Sequence, residues 1–258
     1  VFKKFGNVGF VNTSKNWDNW NTIVNSLQKT DDPIKIAMVG KYVTLADSYV
    51  SVNEALKHAS ASIGKSVNID WIDSETLNGN LKQLDNFDGV LVPGGFGTRG
   101  SEGIIDTATY ALEKNIPYLG ICFGFQLAAV AFGRKMCNLE NANSTEIVAD
   151  TKNPIIDLLP EQKDETDMGG SLRLGANEIK INQDSLAHKI YSSDKIFKRH
   201  RHRYEFNTKY REEFLKKGMI FSGESDDEKR MEILEVPTHK FFLGVQYHPE
   251  FNSRPGFP

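Results

Sequence analysis

The pentapeptide Gly120-Ile121-Cys122-Phe123-Gly124 holds the most chemistry in this sequence. An apolar run precedes it and a helical pattern follows, which is the arrangement of a nucleophile elbow: strand, sharp turn, helix, with glycine two positions either side of the reactive residue. Such a turn crowds its own backbone, hence the glycines. It pushes the sulfur out of the end of the sheet, beside a helix N-terminus whose partial positive charge favours thiolate. A lone cysteine is more often a buried structural residue, but the paired glycines favour the nucleophile. The second cysteine, Cys137, lacks that context and reads as structural.

A thiol nucleophile needs a base, and the base needs a group to orient it. Of six histidines, His248 stands in Tyr247-His248-Pro249-Glu250, at the close of an apolar run. In extended chain, residues i and i+2 point to the same side, so the Glu250 carboxylate can fix the His248 tautomer. Pro249 cannot donate to a ladder, so the tripeptide belongs at a strand end or edge, where catalytic groups of open sheets gather. His-Pro-Glu alone is a weak signal; joined to the cysteine elbow it is a strong one. His58 reads as a packing or polar surface residue, and His188 and His239 have no constellation around them. No His/Cys cluster has metal-ligand spacing, so no metal is expected.

Pro93-Gly94-Gly95-Phe96-Gly97 follows another short apolar run. Acyl transfer needs donors aimed at a developing oxyanion, and glycines let backbone N–H groups come close. The N–H groups of Gly95 and Phe123 are the natural pair. The loop lacks the Gly-Lys-Ser/Thr ending of a phosphate-binding loop. Arg199-His200-Arg201-His202-Arg203-Tyr204-Glu205 is a dense basic cluster. It is either a solvated charged face or a carboxylate-recognition site, since Arg binds carboxylates bidentately; composition does not choose.

The elements that must position these groups follow from periodicity. Residues 34–39, 67–72, 89–92 and 116–121 read as short buried strands, and 49–63, 104–114 and 123–132 as helices. In the first of these helical stretches Val52, Ala55, Leu56, Ala59 and Ile63 share a face. Alternating strands and helices predict an α/β fold: an open, mostly parallel central sheet with helices on both faces. Residues 146–149, 172–174, 177–181, 219–222, 232–236 and 241–247 read as shorter strands, adding antiparallel structure in the second half, with an acidic loop at 161–167. Residues 1–32 differ: they are rich in Asn, Lys and Gly and read as an arm or linker with one helix at 17–27, its Trp17 and Trp20 packed against the domain.

With 258 residues, 39% of them hydrophobic, the chain suits one domain with a sizeable core and an arm. A net charge of -3 shows no basic footprint for nucleic acid. No apolar run approaches membrane-spanning length, and two cysteines are too few for a disulfide framework, so a reducing cytoplasm is expected. No signal-peptide pattern opens the sequence. It begins with Val1, which reads as a processed chain or an excised piece of a longer one.

These stretches together resemble the class I glutamine amidotransferase domains of CTP synthases. The matching motifs run in order: Gly40-Lys41-Tyr42-Val43 with Ser51-Val52-Asn53-Glu54-Ala55-Leu56; Pro93 to Gly97 with Arg99-Gly100-Ser101-Glu102-Gly103; Gly120 to Gln126; Met168-Gly169-Gly170-Ser171-Leu172-Arg173-Leu174-Gly175; Arg199 to Glu205; and Gln246 to Pro255. The elbow and His-Pro-Glu are shared across class I amidotransferases. The Arg-His run and Phe251-Asn252-Ser253-Arg254-Pro255 are particular to CTP synthases and argue against other synthetases of this fold. The resemblance covers about residues 33–257.

The resemblance implies that Cys122 attacks the glutamine amide to form a γ-glutamyl thioester, that His248 moves the proton and that Glu250 orients it. Gly94, Phe96, Gln126, Glu146 and Arg203 fall at glutamine-binding positions, and Arg99, Gly100 and Glu102 in a loop that responds to GTP. It further implies L-glutamine as substrate and no cofactor in this domain. Ammonia passes to an N-terminal synthetase domain, linked through residues 1–32 to the glutaminase domain at 33–258, which aminates UTP with ATP and magnesium in a homotetramer. A partner-binding module without chemistry is the contrasting expectation, which the complete triad disfavours. Phe123 and Phe125 stand where smaller or more flexible apolar residues are common, an expected influence on glutamine access, and segment 150–168 is short for the family.

Overall fold

The structure is a computed structural model and describes residues 14–27, 32–43, 45–77, 80–158, 172–227 and 229–258. A nine-stranded sheet runs through the molecule. Its strands are β1 (Ile34–Gly40), β2 (Val67–Asp73), β3 (Gly89–Val92), β4 (Tyr118–Ile121), β7 (Arg173–Ile181), β8 (Lys195–His202), β10 (Ile220–Ser225), β11 (Met231–Glu235) and β12 (Phe242–Val245). The order is β2-β1-β3-β4-β12-β11-β10-β7-β8. Pairings from β2 to β12 are parallel, and those from β12 to β8 are antiparallel. A smaller sheet joins β5 (Asn143–Ser144), β6 (Pro154–Asp157) and β9 (Glu205–Phe206).

From Ala37 of β1 across β3 and β4 the parallel half is largely buried on both faces because helices cover both, whereas the edge strand β2 is only partly buried. Along β1 the side chains alternate. Ala37 and Val39 join a core with α3 (Ser101–Lys114) and α4 (Phe123–Lys135), while Met38 joins the opposite core with Tyr49 and Val52 of the α2 region. Helix α4 is buried from Phe123 through Gly133, as a helix apolar on every side must be. Helix α2 (Val50–Ser62) buries Val52, Ser60 and Ala61; Ile63, expected on its inner face, lies past the helix end and is exposed.

The antiparallel half curls. In a flat sheet β8 would lie about 19 Å from β12, four strand spacings away. Yet the backbone N–H of His248, just beyond β12, donates to Arg199 O of β8 at 2.9 Å. The sheet therefore bends its edge strand back over the C-terminal end of β12.

Several expectations need correcting. Residues 146–149 form a turn, and β5 lies just before it, because Ser144 Oγ and Asn143 Oδ1 bind local backbone N–H groups. The two short strands expected around Gly175 are one strand, β7, which passes that glycine at φ +79°. The arm contains α1 (Ser14–Leu27), which packs on α2, but Trp17 and Trp20 are 57% and 52% exposed; the helix turns Ser26 inward instead. Residues 1–13 and 28–31, the acidic stretch at 161–167 and the Met168-to-Ser171 motif lie outside the described residues. Among the described residues, no helix is long and apolar enough to cross a membrane. Two further α-helices, α5 (Leu186–Tyr191) and α6 (Arg211–Lys216), and 3-10 turns at Ala46–Tyr49, Leu81–Asn86, Thr208–Tyr210 and Pro249–Asn252 are also present among the described residues.

Candidate active site

The C-terminal ends of β3, β4 and β12 converge on one cavity of about 630 Å³. Cys122 stands between β4 and α4 with φ 53° and ψ -98°, a left-sided conformation that costs a non-glycine residue about 1–3 kcal/mol. The flanking glycines are sterically required. A β-carbon at Gly120 would lie 2.6 Å from the backbone of Gly124, and one at Gly124 would lie 2.3 Å from Val92 O. Cys122 N–H donates to Val245 O of β12 at 2.7 Å, locking the elbow to the strand that carries the histidine.

His248 Nδ1 lies 2.8 Å from Glu250 Oε1, and both side chains are nearly buried. Burial pulls the imidazole towards neutrality. Hydrogen bonding to the Cys122 and Glu250 side chains outweighs it and holds the ring at about 10. Phe251 stacks on the His248 ring at 5.0 Å, and His58 Nδ1 meets Ser253 Oγ at 3.0 Å, tying the Glu250 turn to α2. His58 is thus a polar tether, His188 pairs with Asp194 and His239 meets Ala111 O, all away from the cavity.

Gly94, Gly95, Phe96, Gln126, Glu146 and Arg203 line the same cavity as Cys122 and His248. Gly95 Cα faces the Phe123 ring, with the site of a β-carbon 3.5 Å from Phe123 Cδ1, so the two oxyanion candidates adjoin. Gln126 Nε2 donates to Tyr204 O at 2.9 Å and to Gln246 Oε1 at 3.3 Å. Glu146 Oε1 accepts from Gly97 N–H at 2.7 Å. Phe96 is 69% exposed at the mouth, opposite Tyr42. Phe123 and Phe125 do not control access: Phe125 is wholly buried behind Gly244 and Phe123 is covered by the glycine loop.

The expected GTP-responsive residues separate. Arg99 binds Glu75 Oε2 at 3.0 Å and Lys41 O at 2.6 Å, and Gly100, at φ +64°, abuts Ser74. Glu102 lies in the first turn of α3, not in that loop, and pairs with Arg134 of α4.

The basic cluster divides: Arg203 lines the cavity while Arg199 is an exposed strand residue. As strand β8 it alternates, with Arg199 and Arg201 exposed and His200 and His202 buried. Burial and the neighbouring Arg173 push His200 down to about 3, so the pair His200 Nδ1–His202 Nε2, 3.0 Å apart, is neutral. Arg201 O comes within 3.9 Å of Cys122 Sγ.

Two residues at the site escaped assignment from sequence. Gln246 is fully buried with Nε2 3.8 Å from Cys122 Sγ; a 3-10 turn over Pro249–Asn252, not the extended chain expected, folds Glu250 back onto His248. Lys41, directly after β1, donates to Phe96 O at 2.9 Å and Gly97 O at 2.5 Å. A lysine at the C-terminal end of a buried parallel strand was the available signal.

An elbow cysteine, a histidine–glutamate pair on the next strand and a glycine loop facing both define an acyl-transfer site on a parallel sheet. The chain belongs to the class I glutamine amidotransferase family, whose model matches residues 44–257. Within that class it is similar to CTP synthases. It is 52% identical over 241 residues to the CTP synthase of Halalkalibacterium halodurans, covering 93% of this chain and 45% of that protein. It is 50% identical over 243 residues to the CTP synthase of Archaeoglobus fulgidus, with the same coverage. The chain thus spans about half the length of the curated relatives it matches. A solved glutaminase domain of Trypanosoma brucei CTPS with bound acivicin superposes with a TM-score of 0.82 at 38% identity, covering 87% of this chain and 89% of that one.

Proposed function

We propose that this chain is the glutaminase domain of a CTP synthase, releasing ammonia from L-glutamine through a cysteine thioester. The observation that carries the reading is the meeting of the Cys122 elbow with the His248–Glu250 pair on one cavity.

In the proposed reaction the Cys122 sulfur attacks the side-chain amide carbon. The oxygen's developing charge is taken by the N–H groups of Gly95 and Phe123. His248, protonated at rest, gives its proton to the departing nitrogen, which leaves as ammonia. The neutral imidazole then takes a proton from water, the resulting hydroxide attacks the thioester carbon, and glutamate leaves as the Cys122–carbon bond breaks. Glu250 keeps the His248 tautomer and orientation through both steps. Gln126, Glu146 and Arg203 hold the amino-acid end of the substrate, Gly94 leaves room for the imidazole, and Phe96 covers the substrate at the mouth.

The longer reading rests on the CTP synthase relatives. Residues 1–32 link a preceding synthetase domain to the glutaminase domain at 33–258. The synthetase domain uses ATP and magnesium to aminate UTP with the ammonia, in a homotetramer activated by GTP near Arg99, Gly100 and Glu102.

The test is covalent labelling. Acivicin, the compound bound in the trypanosome relative, is added with and without excess glutamine, and intact mass is recorded beside Cys122→Ala. One adduct, blocked by glutamine and missing from the variant, is expected. Labelling that glutamine does not slow, or that survives in Cys122→Ala, would overturn the assignment.

A further inference from the structure

Lysine is among the residues least often buried without a charged partner, yet Lys41 is 4% exposed and its ammonium rests on two backbone carbonyls, those of Phe96 and Gly97. The peptide unit joining Phe96 to Gly97 is held at both ends. Its oxygen accepts from the Lys41 ammonium at 2.9 Å and its N–H donates to the Glu146 carboxylate at 2.7 Å. In a planar trans peptide these two atoms point in opposite directions, so a cation on one side and an anion on the other fix the plane against rotation. Both bonds are charge-assisted and therefore of the stronger kind. Gly97, at φ +75°, is the turn that brings both carbonyls to one ammonium.

The same ammonium lies 4.1 Å from the centroid of the Phe123 ring. Lys41 thus touches both elements whose N–H groups are proposed to receive the oxyanion: the loop carrying Gly95 and the first residue of α4. Its own backbone is fixed, with N–H donating to the Tyr49 hydroxyl at 3.2 Å and carbonyl accepting from Arg99 at 2.6 Å.

We infer that Lys41 is a positioning residue for the oxyanion site, pinning the Gly94–Gly97 loop against Phe123 so that the Gly95 and Phe123 N–H groups converge on one point. The inference rests on the glutaminase reading. Burial draws the ammonium down to about 8, and Glu146 and Glu75 favour the charge while Arg99 opposes it.

The experiment compares the protein with Lys41→Met, which keeps the stem and removes the donors. Glutamine hydrolysis reports the oxyanion site. Iodoacetamide alkylation of Cys122 passes through no oxyanion and reports the nucleophile alone. The expected result is a kcat lower by about 10- to 100-fold, a fraction to the whole of what one oxyanion donor supplies, with KM within about threefold and the alkylation rate unchanged. A kcat within twofold of the parent, or kcat and alkylation falling together, would overturn the inference. Should Lys41→Met lose its thermal transition, Lys41→Arg carries the test, since it keeps a cation with N–H donors. It is expected to hold kcat within about fivefold, and a folded Arg variant that alkylates normally but turns over 100-fold slower overturns the inference. If the parent protein neither hydrolyses glutamine nor takes an acivicin adduct, the underlying reading fails, and that is seen before any variant is measured.

Discussion

Gly94 and His248 face each other so closely that a β-carbon at residue 94 would lie 2.9 Å from the imidazole Cε1. Contacts that short are not tolerated, so one partner has to move, and the glycine is fixed by the end of β3. Gly94→Ala is therefore expected to displace His248 from Cys122. A misplacement of about 1 Å costs on the order of 10²-fold in rate. The check is kcat for glutamine hydrolysis alongside the iodoacetamide rate of Cys122. Turnover within threefold of the parent would show that the imidazole has room to adjust.

The position of Cys122 at the elbow is held by strained backbone geometry. A φ of 53° at a residue with a β-carbon costs about 1–2 kcal/mol relative to glycine. Both Cys122→Ala and Cys122→Gly should be inactive, but they should differ in stability. The glycine variant is expected to be more stable than the alanine variant by about 1 kcal/mol, against the usual order that favours alanine. Urea denaturation of the pair measures this directly. Equal midpoints, or alanine ahead, would mean that the elbow holds no strain.

The parallel half of the fold was legible because it is built from two unambiguous periods. β3 was bounded correctly at both ends from its apolar run, and the elbow was recognisable because Gly120 and Gly124 answer to contacts under 3 Å. The antiparallel half was harder to read. β8 was hidden inside a run of arginines and histidines: its alternation sets charged Arg199 and Arg201 outward and neutral His200 and His202 inward, and a composition-based reading counts all four as cations. Trp17 and Trp20 show the converse: helical spacing fixed the helix but not which side faces the domain. The position of Lys41 after β1 was a signal, but its role was not legible. What holds it is a pair of backbone carbonyls 55 and 56 residues away, and carbonyls leave no trace in side-chain pattern.

His248 binds its proton more tightly in the native state than in the unfolded chain, at about 10 against the usual 6.5. The sign follows from linkage: this contribution to stability is complete below about pH 6.5 and is lost as pH rises towards 10. Glu250→Gln removes one of the groups that hold the proton. The stability lost between pH 6.5 and 9.5 should therefore be smaller in the variant than in the parent. Turnover should fall by about 10²- to 10⁴-fold, as when the orienting carboxylate of a triad is lost. Urea midpoints at the two pH values measure the first effect. An identical pH dependence in both proteins would show that Glu250 does not hold the proton.

Behind the histidine pair lies a buried charge cluster whose balance depends on Arg173. Its Nη1 binds Glu232 Oε1 and stands 3.9 Å from Glu205 Oε1, and both glutamates are fully buried. Burial raises both carboxyls above the usual range; Glu232 raises Glu205 further, and Arg173 pulls both back. Removing one partner from a buried ionic network costs about 3–5 kcal/mol, so Arg173→Met should be strongly destabilised. The loss should also grow with pH. A carboxyl whose native pKa exceeds its unfolded 4.5 stabilises the fold below that pH and loses the contribution as pH rises. Without Arg173 the native values rise further, so the deficit at pH 8 should exceed that at pH 5. Adding Glu232→Gln, which replaces a buried carboxylate by a neutral amide, should return most of the stability at pH 8. Urea melts of the single and double variants at both pH values decide it. A deficit independent of pH, or no rescue by the amide, would mean that Arg173 contributes by packing its stem and not by its charge.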